Sequence, residues 1–149
     1  MIVPMCKLQV VTLDEQFDRV FSSYGVLAWL PDLEAWARIV ARYLRPGGVF
    51  YLAEFHPAAM VFDDAVERAE WRVAYDYFTS GPVRFDTKGS YADPDAEVHA
   101  THSFEWFYPL GKVISALLAA GLRLEFLHEH PFTVYRQFPF VEPDAEGLW

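Results

Sequence analysis

Apolar and polar positions change rhythm twice between residues 17 and 55, and the changes predict a strand, a helix and a second strand. Asp18 to Ser23 carries Val20 and Phe21 in a short apolar run closed by Ser22 and Ser23, the pattern of a buried parallel strand. Leu33, Trp36, Ala37, Val40, Tyr43 and Leu44 then recur at three- and four-residue steps, with Glu34, Arg38 and Arg42 on other faces, which predicts an amphipathic helix. Pro31 suits its first turn, and Asp32 and Glu34 suit the positive end of its dipole. Pro46 cannot continue it, and Gly47-Gly48 gives the backbone freedom for a tight turn. Val49 to Phe55 follows as an apolar run broken only by Glu54, as in a strand covered on both faces. Parallel strands joined by a helix bind ligands beyond their carboxyl ends, here Ser22 to Trp29 and Glu54 to Pro57.

The rest of the chain has shorter periods. Ala58 to Arg68 reads as a short helix or lid segment. Trp71 to Phe78, Val83 to Asp86 and Val98 to Tyr108 read as strands, separated by turns at Ser80-Gly81-Pro82, Lys88-Gly89-Ser90 and Asp93-Pro94-Asp95. Together they predict a small antiparallel cap over about residues 58–108. Pro109 opens a second helix with Leu110, Val113, Ile114, Leu117 and Leu118 on one face and Gly121 as its stop. Leu122, Leu124 and Phe126 alternate with Arg123 and Glu125, predicting a half-covered strand, and the chain from Pro139 onward reads as loop.

The fold class expected is therefore α/β, and 149 residues suit one domain that buries roughly 70% of its unfolded surface. Hydrophobic residues make up 53% of the chain and aromatic residues 17%, ample for one core. A formal charge of -9, with no basic stripe to offset it, argues against nucleic acid as a partner. Cys6 is the single cysteine, so no internal disulfide forms and a reducing, cytoplasmic compartment is expected. No apolar run has the length of a membrane span, and Pro4, Lys7 and Gln9 interrupt the start in a way unlike a secretory signal.

The chemistry-bearing residues are few. Ser23 lacks the flanking glycines of a nucleophile elbow. His99 and His102 with Glu105 invite a metal reading, but an H-x-x-H step along a strand sends its rings to opposite faces, so no metal is expected. His128 and His130 share a face of an extended segment without a third ligand, and Asp63-Asp64 reads as solvated surface.

Phe17-Asp18-x-Val20, Ser23-Tyr24-Gly25-Val26-Leu27 with Trp29-Leu30-Pro31-Asp32, Leu44-Arg45-Pro46-Gly47-Gly48 and Glu54-Phe55-His56-Pro57 together resemble a class I S-adenosylmethionine-dependent methyltransferase. Gly111 to Glu129, with Ala119-Ala120-Gly121-Leu122, is similar to the helix and strand that follow that family's fifth strand. The resemblance implies that the first strand here is the fourth of a Rossmann-like sheet, that the loop after it passes beneath the cofactor, and that the cap shapes an acceptor pocket. It implies Ser23, Tyr24 and Gly25 near S-adenosylmethionine, and Trp29, Glu54, His102 and Trp106 near a small-molecule acceptor; an acidic chain with a Trp- and Tyr-rich cap suits an apolar or aromatic one. Methyl transfer is an in-line displacement that needs alignment and, for a protonated acceptor, a base. His56, at a strand end beside Glu54, is the candidate catalytic base; its other reading is that it caps the strand and orients the Pro57 turn.

The family's glycine-rich turn has no counterpart, since none of the eight glycines is spaced G-x-G, and only sixteen residues precede Phe17. The expectation is a partial domain over residues 1–149 with an incomplete sheet, shortened at both ends, binding S-adenosylmethionine weakly or not at all when alone and inactive or weakly active. The alternative is a non-catalytic binding or dimerisation module. In either case Asp18 to Ser23 would form an exposed strand edge that pairs with a second copy or a complementing chain.

Overall fold

The computed structural model describes residues 14–63, 70–86 and 102–149. Strand β1 (Phe17–Ser22), helix α1 (Leu33–Tyr43) and strand β2 (Leu44–Leu52) form the expected unit, and β1 and β2 are hydrogen-bonded in parallel. The register pairs Arg19 with Val49, Val20 with Phe50, Phe21 with Tyr51 and Ser22 with Leu52. Phe17 pairs with Leu44, so Arg45-Pro46-Gly47-Gly48 loops out opposite Asp18. Gly47 has φ +80°, and a Cβ on Gly48 would lie 3.0 Å from the Arg45 oxygen and 3.1 Å from the Asp18 oxygen. Glycine at 48 is thus required by the approach of β1 rather than only by the turn.

Asp32 caps α1, its Oδ1 accepting from the Ala35 amide at 2.8 Å, and Pro31 stands just before the cap rather than in the first turn. Leu33, Ala37 and Val40 are buried on the face the sequence predicts. Trp36 meets Phe50 edge-on, 5.7 Å between centroids, so α1 covers the even-numbered face of the sheet. Helix α2 (Leu110–Ala119) starts after Pro109 as expected. Its packing face is Val113, Ala116, Leu117 and Ala120, a stripe at three- and four-residue steps, whereas Leu118 stays about half exposed on the flank. The core forms where α1 and α2 meet the 3-10 turn Leu27–Trp29, from Leu27, Leu30, Leu33, Ala37, Tyr108, Val113 and Ala116. The Tyr108 hydroxyl donates to the Leu30 carbonyl inside it.

Four expectations are corrected. The sheet was expected to be covered on both faces, but among the described residues Phe21 (63%), Val49 (53%) and Tyr51 (49%) are open on the odd-numbered face. The second strand ends at Leu52, three residues before Phe55. Trp71 to Phe78 forms no strand beyond a bridge between Val73 and Phe62, because Trp71 turns into an aromatic cluster with Phe62, Phe138 and Phe140. Leu122 to Phe126 joins no ladder; Phe126 instead sets its ring 6.1 Å from Tyr51.

The cap keeps one antiparallel pair, β3 (Val83–Asp86) with β4 (His102–Glu105), separate from the parallel sheet. Between Ala58 and Asp63 there is a single 3-10 turn, Ala59–Val61. The expected turns at Lys88-Gly89-Ser90 and Asp93-Pro94-Asp95, the strand residues 98–101 including His99, the rest of the lid at 64–69, and Cys6 lie outside the described residues.

Candidate functional site

The carboxyl ends of β1 and β2 stay together one step past the ladder, where the Ala53 amide donates to the Ser22 oxygen at 3.0 Å. Glu54 follows, and its carboxylate accepts from the loop after β1. Oε2 accepts from Gly25 N–H at 2.6 Å, and Oε1 accepts from Val26 N–H at 2.8 Å and Leu27 N–H at 3.0 Å. The Phe55 amide adds a fourth donor at 3.3 Å. These amides open the 3-10 turn Leu27–Trp29, where unpaired N–H groups attract an anion, and the chain supplies its own. Gly25 has φ +79°, a conformation that glycine adopts without strain.

Above this clamp lies a row of rings. Tyr24 stands 5.4 Å from Phe55, and Phe55 stands 5.0 Å from Tyr135, which arrives from the C-terminal segment. His56 accepts from the Ala58 amide at Nδ1, 3.1 Å, and this contact orients the Pro57 turn. Its Nε2 lies 2.6 Å from Glu129 Oε1, with both side chains open to solvent.

Of the residues singled out from sequence, Ser23, Tyr24, Gly25, Glu54 and His56 therefore converge on the strand-end rim. Trp29 is on the adjoining turn, about half exposed. Trp106 is set into the core edge instead, with its backbone amide donating to the Ala28 oxygen at 2.8 Å. His102 pairs with Asp86 across the cap ladder and rests its ring on Phe104, so no described contact brings it to the rim. Among the described residues no three His, Cys, Asp or Glu side chains gather as a metal site.

Sequence reasoning missed Glu129 and Tyr135. A signal for the first was present: rings of Phe126, His128, His130 and Phe132 contact one another in steps of two, so Glu129 falls on the opposite face. Tyr135 carried no comparable pattern. A shallow concavity of about 550 Å³ lined by Glu15 to Arg19 and Arg45 is at the other, amino end of β1, away from these groups. The rim is the better candidate, because ligands of parallel sheets sit at the carboxyl ends and the polar groups converge there.

The family model described as a methyltransferase domain matches residues 5–52. This segment is methyltransferase-like. The methyltransferase-like residues include all of β1, α1 and β2 and stop two residues short of Glu54, so the match takes in Ser23, Tyr24 and Gly25 of the strand-end rim but not Glu54, His56 or Glu129. Neither the curated proteins nor the solved structures contain a match to the chain.

Proposed function

We propose that this chain is a methyltransferase-like protein acting on a small, apolar or aromatic acceptor at the carboxyl ends of β1 and β2, with S-adenosylmethionine as donor. The observation that carries the reading is that the described part of the matched segment folds as one parallel β-α-β unit whose strand ends bear the convergent polar groups. The donor set supports it. A sulfonium is a cation, and the rim offers the rings of Tyr24, Phe55 and Tyr135 with the carboxylates Glu54 and Glu129. Arg136, the cation nearest in sequence, turns away to the Trp149 ring and the Pro139 oxygen. The rim thus fits the charged end of S-adenosylmethionine, which when bound supplies an electrophilic methyl group.

In this reading Tyr24 and Gly25 line the donor side with Ser23, and Trp29 faces the acceptor. Glu54 acts through the loop it holds. His102 and Trp106 would reach an acceptor only from the cap side. Because these 149 residues hold no G-x-G turn for the nucleoside, affinity is expected to be weak. Calorimetric titration tests this: S-adenosylmethionine should bind between the high micromolar and the low millimolar range, and Tyr24→Ala should weaken it several-fold. No heat at millimolar ligand would remove the reading.

A second reading, a binding or dimerisation module, is favoured by one observation: among the described residues β1 pairs only with β2, and the odd-numbered sheet face is open.

A further inference from the structure

His56 is the imidazole that the strand end presents, yet both of its ring nitrogens are engaged. Nδ1 accepts the Ala58 amide proton at 3.1 Å, so the neutral ring carries its own proton on Nε2. Nε2–H then donates to Glu129 Oε1 at 2.6 Å, the short distance of a charge-assisted bond. No lone pair of the ring is left for a ligand. Glu129 differs: its Oε2 makes no hydrogen bond among the described residues, and the side chain is 59% exposed.

We infer that Glu129, oriented by His56, is the proton-accepting group of this rim, and that His56 is a positioning residue. The assignment takes its reaction from the methyl-transfer reading but its geometry from the His56–Glu129 pair alone. The step is a simple proton transfer. As the acceptor's lone pair attacks and positive charge builds on that atom, its O–H or N–H bond breaks, the bonding pair stays on the acceptor atom and neutralises it, and a new O–H bond forms at Glu129 Oε2. A carboxylate is a weak base, so it serves an acceptor whose proton turns acidic as positive charge builds on it, an amine or a phenol rather than an aliphatic alcohol.

Two-bond proton–nitrogen correlation spectra at neutral pH test the pair without any turnover. The expected result is an unprotonated Nδ1 and a protonated Nε2 on His56, with the Nε2 proton moving upfield in Glu129→Gln. A predominant Nδ1–H tautomer would overturn the assignment. Kinetics give the second arm, with labelled S-adenosylmethionine and catechol or tryptamine as probe acceptors. Glu129→Gln should lower kcat about 100-fold, the usual scale of a lost general base. Glu129→Asp should recover part of it. His56→Gln, which still offers an N–H to the carboxylate, should stay within about 10-fold of the wild type. The reverse ranking of the two variants would also overturn the proposal. Absent donor binding by the wild type removes the methyl-transfer reading alone, because the nitrogen spectra still decide the roles of His56 and Glu129.

Discussion

A single carboxylate holds the loop that follows β1. Glu54 accepts from three consecutive amides, Gly25 to Leu27, across nearly thirty residues of chain, and charged hydrogen bonds of this kind contribute about 1.5–3 kcal/mol each at most. They share one acceptor, so Glu54→Ala should destabilise the chain by about 2–3 kcal/mol in urea unfolding. Glu54→Gln should cost less, since its amide oxygen keeps one acceptor. Tyr108 sets the alkaline limit. Burial first, then Glu34 and Asp32, push its hydroxyl up to about 12 from 10.0. The unfolded chain therefore loses this proton before the folded chain does. Stability should be fully retained below pH 10 and fall as pH rises toward 12, and Tyr108→Phe should flatten that slope in thermal unfolding. Glu54 was legible as the one charge in an apolar run. Glu129 was legible only through the alternation of its histidine neighbours, and Tyr135 through nothing local, because tertiary folding alone brings it to Phe55.

Helices followed from the sequence more closely than strands did. The period of α1 and its Asp32 cap are local properties, as is the Pro109 start of α2. Strand pairing is not local: Leu122 to Phe126 alternates correctly yet gains no ladder, since alternation specifies a face and says nothing of a partner. The glycines show the same division. Gly48→Ala would press a Cβ against the Arg45 and Asp18 carbonyls and should cost about 1–3 kcal/mol, as overpacking does. Gly111→Ala meets nothing within 4 Å on helix α2 and should stabilise by roughly 0.5 kcal/mol. A matched pair of denaturation curves with shifts of opposite sign checks both; a neutral Gly48→Ala would show that β1 is not held so close.

At the scale of the whole molecule, the two faces of the parallel sheet differ. One is covered by α1. The other shows Phe21 and Tyr51 stacked at 5.8 Å, with Phe126 beside them. No helix among the described residues is long and apolar enough to cross a membrane. If it pairs copies of the chain, the charge of -9 on each opposes contact, and screening should favour it. Light scattering after size-exclusion chromatography should then show a dimer that grows with salt and is lost in Tyr51→Lys. A monomer at every ionic strength would sink the dimerisation reading.

The strip from Arg123 to Phe132 has no described backbone hydrogen bond, and rings and the His56–Glu129 contact fasten it. Its amides should exchange with solvent far sooner than those of β1 and β2, and proteases should nick it before they reach the core. The carboxylate assigned to take up the proton therefore rides on a part of the chain that can lift away cheaply, which gives a bound molecule a way out of the rim.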